Sequence, residues 1–402
     1  MHELFVLDPE VHFLNHGSFG ACPRPVFEEY QRWQVELERQ PVEFLGRRLD
    51  GLLDEGRRAV AAYVNAPADD VVFIPNATTG VNIVARSLAL QPGDEILASN
   101  LEYGACSRAW QFVAEKAGAS YIEQPVTLPV TTAGRVVEEI WRGVTPRTRV
   151  LYLSHITSGT ALRLPIEELC RRARAAGILS VIDGAHAPGQ IPVDLTAIGA
   201  DIYAGNCHKW LCAPKGTGFL HVRSEHQAWM ESMIISWGWV EGSPTHQAGT
   251  SFVSHNQWQG TRDYAGYLTV PAAIAFQTEH NWPAVRARCH ALAREAQRRI
   301  LALSGLPPLS PDPAPDGWPW FAQMVAIPLP PVDIVQLKQR LYDEDRIEVP
   351  LVPEPGLPLI RVSVQAYNSN ADIDALVSAL ERLLPELALA GGDRRRCSDG
   401  RN

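Results

Sequence analysis

The sequence predicts an α/β protein with a mainly parallel sheet in a large domain, followed by a smaller α+β domain. Short apolar runs alternate with helical patterns between residues 71 and 222, as is typical of parallel strands joined by crossover helices. From about residue 280, a long Arg- and Ala-rich helix leads through a Pro-rich linker to alternating strands and helices. We therefore expect an N-terminal arm (1–25), a large domain (26–280), a small C-terminal domain (281–390) and a disordered tail (391–402).

The composition indicates a globular cytoplasmic protein. The 402 residues are enough for two ordinary domains, and the net charge of −9 argues against a nucleic-acid surface. All apolar runs are shorter than the roughly 20 residues that span a membrane, and no signal peptide is evident. The seven cysteines are scattered, which suggests reduced thiols. Because Cys207, His208 and Cys212 have no second ligand pair at a suitable spacing, we expect no metal site.

The first part of the chain contains an arm, a helical region and a strand. Residues 11–25, VHFLNHGSFGACPRP, carry the Gly and Pro of an irregular arm. Residues 26–64 show apolar residues at three- and four-residue steps, which predicts helices. The run at residues 71–74 predicts a buried strand.

The helix after this strand opens with Asn-Ala-Thr-Thr-Gly at residues 76–80. Small and hydroxyl-bearing residues leave free N–H groups at the positive end of the helix dipole, where anions bind. On a second interpretation, Thr78 or Thr79 merely caps the helix. The residues alone leave both interpretations open.

Two further apolar runs, at residues 95–98 and 150–153, predict strands that end in polar loops. Tyr103 lies in the first loop, before a helix predicted over residues 105–116, and Ser158 lies in the second. An aromatic residue in such a loop commonly serves in packing.

The central stretch, residues 178–222, concentrates residues that can do chemistry. One apolar run ends at Asp183 and is followed by His186, and a second run, at residues 201–205, leads to Asn206-Cys-His-Lys209. Lysines occur at positions 116, 209, 215 and 338, and of these only Lys209 follows an apolar strand with a histidine beside it.

These residue types suit pyridoxal 5′-phosphate (PLP). A lysine amine can form a Schiff base with an aldehyde, and burial lowers its pKa enough to make it nucleophilic. A carboxylate facing a pyridine nitrogen keeps that nitrogen protonated, so that the ring withdraws electrons from the substrate. Thr78, Tyr103, Ser158, Asp183 and Lys209 all follow predicted strand ends, where ligands bind in parallel sheets. No G-x-G-x-x-G motif follows an early strand, so a dinucleotide-binding fold is the weaker interpretation.

The motifs D-G-A-H (183–186) and N-C-H-K-W-L-x-A-P-K-G (206–216) resemble those of the class V aminotransferases, which are fold type I PLP-dependent enzymes. Within that family the chain is most similar to the isopenicillin N epimerase group, over about residues 12–385. The resemblance implies a fold type I PLP-dependent transferase that acts as a homodimer with shared active sites.

The resemblance also implies roles for the cofactor residues. Lys209 would hold PLP and act as the base. The ring would contact Asp183 at its nitrogen, His186 at its phenolic oxygen and Tyr103 by stacking, and Ser158 would lie near a cofactor oxygen. The phosphate would be bound by Thr78, Thr79, Asn206 and His208.

Three further segments resemble the family in the parts that bind substrate and subunit. L-N-x-G-S in the arm implies that Asn15 and His16 lie near the substrate. R-x-S-x-x-x-Y-N implies that Arg361 clamps the α-carboxylate with parallel hydrogen bonds. G-T-R at 260–262 implies that Thr261 and Arg262 reach the phosphate of the neighbouring subunit; the alternative is an ordinary helix start.

The sequence leaves the reaction type open among epimerase, C–S lyase or cysteine desulfhydrase, and aminotransferase. A persulfide mechanism is disfavoured, because residues 290–396 contain no cysteine. A catalytically inactive binding protein of the same fold is a further alternative, against which the presence of both Asp183 and Lys209 argues. We expect the arm and the segment from 229 to 258 to shape the substrate pocket.

Overall fold

The structure is a computed structural model that describes residues 1–239, 249–354 and 357–389. The predicted tail at 391–402 and part of the segment after residue 229 lie outside these ranges. Within them, no helix is long and apolar enough to cross a membrane, and no three His, Cys, Asp or Glu side chains are grouped as a metal ion would require.

The strands of the described residues, in chain order, are β1 (His12–Phe13), β2 (Val71–Ile74), β3 (Glu95–Ser99), β4 (Ser120–Gln124), β5 (Thr148–Ser154), β6 (Leu179–Gly184), β7 (Ile202–Asn206), β8 (Gly218–Val222), β9 (Met324–Pro328), β10 (Ile347–Glu348), β11 (Leu351–Glu354) and β12 (Leu357–Ser363).

The helices of the described residues are α1 (His16–Phe19), α2 (Arg24–Arg39), α3 (Pro41–Glu43), α4 (Leu49–Tyr63), α5 (Ala77–Ser87), α6 (Gly104–Ala117), α7 (Ala133–Trp141), α8 (Ile166–Ala175), α9 (Leu195–Ile198), α10 (Ser251–Gln257), α11 (Ala265–Leu268), α12 (Val270–Glu279), α13 (Trp282–Ser304), α14 (Ile334–Asp345) and α15 (Asn370–Glu386). A π-helical turn, Phe44–Arg48, joins α3 to α4.

The central sheet has seven strands in the order β2-β8-β7-β6-β5-β3-β4. All its pairs are parallel except those of β8, which runs antiparallel to both β2 and β7. The predicted mainly parallel sheet is therefore confirmed. Strands β2 and β7 run the same way, so the loop after β2 opens at the same edge as the loops after β3, β5, β6 and β7.

Both faces of this sheet are buried, which explains why its strands are continuous apolar runs. In β2, Val72 and Ile74 join one hydrophobic cluster, while Val71 and Phe73 join the other. Successive side chains of a strand point to opposite faces, and helices cover each face.

Strand β4 and helix α7 were not predicted. Residues of β4 are exposed or half-buried at the sheet edge, so the sequence SYIEQ shows no apolar run.

A second, antiparallel sheet lies in the C-terminal part of the chain, in the order β11-β12-β9. Its central strand β12 carries Arg361, which pairs with Ala326 of β9. Helix α15 starts with a capping box in which Ser369 and Asp372 bind each other's backbone N–H groups. The proposed domain boundaries remain predictions.

The N-terminal arm runs along this C-terminal part. Strand β1 pairs in parallel with β10, and Asn15 forms an isolated parallel bridge with Ser363 of β12. Further along, Gly20 has a φ of +71°, and a Cβ there would collide with the carbonyl oxygen of His208. Only glycine fits this close approach, so the arm is pressed directly onto the segment that carries Lys209.

Candidate active site

A cavity of about 330 Å³ opens at the carboxyl edge of the central sheet. Its walls come from the arm and from the loops after β2, β3, β5, β6 and β7. Eight of the predicted cofactor residues lie on its wall, namely Thr78, Tyr103, Ser158, Asp183, His186, Asn206, His208 and Lys209. Because parallel strands end at one edge, residues as distant in the chain as Thr78 and Lys209 meet here.

Lys209 lies just after β7, with its amine on the cavity wall. Its Nζ is 3.1 Å from Nε2 of His186. The pKa of the Lys209 amine is lowered to about 8; withdrawal from water is the largest cause, the positive charge of Arg361 acts in the same direction, and the charge of Asp183 opposes both. The amine therefore has a substantial neutral, nucleophilic fraction near neutral pH.

Asp183 is the penultimate residue of β6 and is buried. Its Oδ1 accepts a hydrogen bond from the Ala185 N–H at 2.9 Å, and its Oδ2 accepts one from the Tyr152 hydroxyl at 3.3 Å. Burial raises the pKa of this carboxyl, while these hydrogen bonds and the Lys209 charge hold it down. Asp183 is therefore a buried carboxyl group whose orientation is fixed by hydrogen-bond donors.

The helix start after β2 separates the two adjacent threonines. Asn76 caps α5 by accepting both the N–H of Thr79, at 2.9 Å, and its hydroxyl, at 3.2 Å. Thr78 lies on the cavity wall, and Thr79 does not. The residue that caps α5 is therefore Asn76 and neither threonine. The donors of Thr79 are engaged by this cap, so the anion-site interpretation is left to Thr78.

Asn206 and His208 lie beside this helix start. The Asn206 side chain accepts the N–H of Ala77 at 2.8 Å, which fixes α5 against the end of β7. His208 places Nδ1 3.0 Å from the carbonyl of Thr217, and burial lowers its pKa to about 4. The low pKa makes the ring neutral, so it carries a single proton. Because a carbonyl only accepts, that proton lies on Nδ1, and Nε2 is unprotonated.

Lys215 is a cavity residue that the sequence placed in a simple turn. Its Nζ donates to the carbonyl of Gly20 at 3.0 Å, so the arm holds this ammonium at the cavity wall. Together with Thr78, it gives this part of the wall a positive and hydrogen-bonding character suited to phosphate.

Arg361 is buried in the middle of β12. Its Nη1 donates to the carbonyl of Ser158 at 2.6 Å, and its Nη2 donates to the hydroxyl of Ser18 at 3.0 Å. No carboxylate among the described residues forms an ion pair with it, and its Nε has no hydrogen-bond partner there. Burial without a counter-ion lowers the pKa of this guanidinium to about 10. A buried cation in this state favours an anionic ligand.

The arm presents different residues from those expected. Asn15 binds Glu348 at 2.9 Å, and His16 is fully buried, with Nε2 3.0 Å from the carbonyl of Lys209. Neither lines the cavity, whereas Ser18 and Phe19 do. The arm forms the short helix α1 at this point, which turns Asn15 and His16 away from this cavity. Their role near the substrate remains a prediction.

Glu102 is a further residue that the sequence did not indicate. Its carboxylate accepts from the N–H and hydroxyl of Ser154, at 2.7 and 2.6 Å, and from the hydroxyl of Ser99, at 2.5 Å. Burial raises the pKa of Glu102 to about 7. It thereby ties the loop that carries Tyr103 to the end of β5, just before the loop that carries Ser158.

Thr261 is exposed and lies away from the cavity of its own chain. The Arg262 guanidinium lies over the rings of Tyr264 and Tyr267, at 4.9 and 5.1 Å from their centroids. A role for Thr261 and Arg262 in a neighbouring subunit remains a prediction.

The chemistry of this donor set fits PLP. An amine with a lowered pKa and a buried carboxylate lie on one wall, near His186, and hydroxyl and ammonium groups at the start of α5 suit the phosphate. An arginine without a counter-ion lies behind Ser18 and Ser158, where a substrate carboxylate could supply the missing negative charge.

The comparisons with known proteins agree with this chemistry. The chain matches the family model of aminotransferase class-V over residues 24–376. It is 38% identical to an isopenicillin N epimerase from Amycolatopsis lactamdurans, over 94% of this chain and 96% of that protein. It is 29% identical to a putative L-cysteine desulfhydrase from Oryza sativa subsp. japonica, over 93% of this chain and 83% of that protein.

Among solved structures, the fold is similar to that of a cysteine desulfurase from Escherichia coli. The TM-score is 0.80 at 25% sequence identity, and the match covers 96% of this chain and 98% of the other. The expected α/β fold is thereby confirmed over almost the whole length.

Proposed function

Because the chain belongs to the class V aminotransferase family and is a PLP-dependent enzyme, we propose that it acts at the α-carbon of an amino acid or a small molecule that contains one, in the manner of an isopenicillin N epimerase. The observation that carries the proposal is a single cavity that combines the amine of Lys209, the carboxylate of Asp183 and, behind Ser18 and Ser158, an arginine without a counter-ion. These groups suit a substrate with an α-amino group and an α-carboxylate.

Bound PLP supplies an electron-withdrawing ring that makes the α-proton of the substrate acidic. Lys209 would anchor the cofactor and, once the substrate amine has displaced it, would remove the α-proton in its neutral form; epimerisation requires that a proton then return to the opposite face. Asp183 would hold a proton at the ring nitrogen, and His186 would donate a hydrogen bond to the phenolic oxygen. Arg361 binds the substrate carboxylate, and the serines at positions 18 and 158 fix the direction of its guanidinium.

The relatives favour epimerisation over elimination, since identity is higher to the isopenicillin N epimerase than to the desulfhydrase. The cysteines bear on a separate alternative, the persulfide mechanism of cysteine desulfurases. None of the described cysteines lines the cavity, and burial raises the pKa of the Cys106 thiol, which lies 3.6 Å from Asp183. A persulfide-forming nucleophile of the desulfurase kind therefore has no support among these residues.

Product analysis separates the three reaction types. The PLP-loaded enzyme is incubated in D₂O with isopenicillin-type peptides, and separately with L-cysteine. We expect deuterium at the α-carbon together with inversion of configuration, and little pyruvate or sulfide. Pyruvate and sulfide as the main products would favour the C–S lyase alternative, and formation of a keto acid would favour the aminotransferase. A lack of α-proton exchange with every substrate tried would contradict action at the α-carbon.

Replacement of Arg361 by glutamine should lower kcat/KM for an amino-acid substrate about 100-fold, because loss of one partner of a buried charge pair typically costs about 2–5 kcal/mol. The decarboxylated analogue of the substrate should show no such loss. Arg340→Gln is the matched control, since Arg340 pairs with Glu344 and Glu386 away from the cavity. An equal loss for both substrates would show that Arg361 does not bind the carboxylate.

We also propose that the enzyme is a cytoplasmic homodimer in which Thr261 and Arg262 contact the cofactor phosphate of the partner subunit. The exposure of Thr261 supports this, because the residue is free to meet a second chain. Light scattering that gave only the monomer mass at micromolar concentration would exclude it.

A further inference from the structure

A line of three side chains runs from the interior to the cavity and ends at the amine of Lys209. The indole Nε1 of Trp210 lies 3.3 Å from Nδ1 of His186, and Nε2 of the same imidazole lies 3.1 Å from Nζ of Lys209. Trp210 and His186 are both buried. Among the described residues, these are the hydrogen bonds that the structure gives to the His186 ring.

The first bond determines where the histidine carries its proton. An indole N–H can only donate, so Nδ1 of His186 must accept and is unprotonated. Burial and the nearby charge of Lys209 keep the pKa of His186 well below its ordinary value, so the ring is neutral. A neutral imidazole carries one proton, and that proton is therefore on Nε2.

The second bond then determines the state of the lysine. An ammonium group has only donors, whereas a neutral amine has a lone pair that can accept. With an N–H at Nε2 of His186, the contact to Lys209 is a hydrogen bond only if the amine is neutral. We propose that Trp210 is a positioning residue that fixes the tautomer of His186 and thereby stabilises the unprotonated, nucleophilic form of Lys209.

Trp210 is held too firmly to turn away. Its ring packs on that of His16, with centroids 4.9 Å apart, and its carbonyl accepts from the side chain of Gln277 at 2.8 Å. A Cβ at Gly189 would collide with its backbone. The carbonyl of Lys209 is fixed in turn by His16, at 3.0 Å.

Other charged and titratable groups act on the pair without replacing these bonds. Arg361 disfavours the charged form of Lys209, whereas Asp183 and the thiol of Cys106 favour it. Around His186, the positive charge of Arg361 disfavours protonation of the ring, and protonation of His208 or His16 would disfavour it as well. Capture of the cofactor by the neutral amine rests on the proposed function. The protonation state of the Lys209 amine does not depend on that function.

The test uses the full-length chain freed of cofactor and labelled with [¹⁵N]histidine. We expect the ¹⁵N shifts of His186 to show a protonated Nε2 in the wild type and, in Trp210→Phe, a shift towards a protonated Nδ1. Freed of the indole donor, the imidazole can accept from the ammonium. The midpoint of Lys209 reductive methylation, followed by peptide mass spectrometry, should then rise by about one pH unit, which slows labelling about tenfold at pH 7.

Trp320→Phe is the matched control, because Trp320 is also buried and also donates its indole N–H, in its case to the carbonyl of Thr131 at 3.4 Å. It should change neither readout, and the exposed Lys338 serves as a reference for labelling in each digest. A wild-type His186 protonated on Nδ1 would overturn the proposal even if Trp210→Phe failed to fold. An unchanged tautomer and midpoint in a folded Trp210→Phe would overturn it as well. Neither readout depends on catalysis, so failure of the proposed function would be seen separately.

Discussion

Replacement of Lys209 by alanine should lower kcat about 10⁴-fold, because the variant loses both the amine that anchors PLP and the base that moves the α-proton. Borohydride reduction of the PLP-loaded wild type should leave the cofactor covalently attached to the peptide that contains Lys209. The same treatment of Lys209→Ala should leave no attached cofactor. Absorption spectra and peptide mass spectrometry measure both effects.

Lys215→Ala provides the control for this result, since Lys215 lies on the same cavity wall and donates to the arm at Gly20. This variant should still be labelled at position 209 after reduction. Attachment of the cofactor to Lys215 in the Lys209→Ala variant would contradict the assignment of the anchoring amine.

Replacement of Asp183 by asparagine should lower kcat about 10³-fold, while PLP remains bound. The amide is nearly the same size, and it can still accept from the N–H of Ala185, which now lies 2.9 Å from Oδ1. It carries no negative charge, however, and so cannot stabilise a proton on the ring nitrogen. The measurements are kcat and the visible absorption of the loaded variant.

The thermal stability of Asp183→Asn tests whether the loss of kcat comes from the missing charge or from a less stable fold. Burial raises the pKa of Asp183 above its ordinary value, so its ionised form is less stable in the folded chain than in the unfolded chain. That cost is present at pH values above the folded pKa and disappears as pH falls below the unfolded pKa. Asp183→Asn should therefore not lower the melting temperature at pH 7. Near-wild-type kcat in this variant would refute the role of the carboxylate.

The sequence was sufficient where an apolar run led directly into polar residues. The run ahead of Asp183 became β6, and the run ahead of Lys209 became β7. Once the strands were known to be parallel, their ends had to lie at one edge, so the cavity wall could be predicted without distances. Strand β4 was missed because its sequence contains no apolar run. It lies at the edge of the sheet, where its residues are exposed or half-buried.

The sequence was insufficient where neighbouring residues of similar chemistry take different directions. Thr78 and Thr79 both carry hydroxyls. Only the hydrogen bonds that Thr79 donates to Asn76 direct Thr79 towards the helix cap. In the arm, helix α1 directs Ser18 into the cavity and His16 into the protein. The rotation of α1 about its axis depends on contacts of the arm with β12 and Trp210. Glu102 had no signal at all, because its partners, Ser99 and Ser154, lie on different strands.

The arm that covers Lys209 pairs with segments that are synthesised much later. The ribosome makes the arm before the central sheet, and it makes the partner strands β10 and β12 after that sheet. The central sheet can form while the remainder is still being translated, yet the lysine stays uncovered until those strands emerge. A product terminated before β10 would contain Lys209 and Asp183 but would lack both the anchorage of the arm and Arg361, so an incomplete translation product would be inactive.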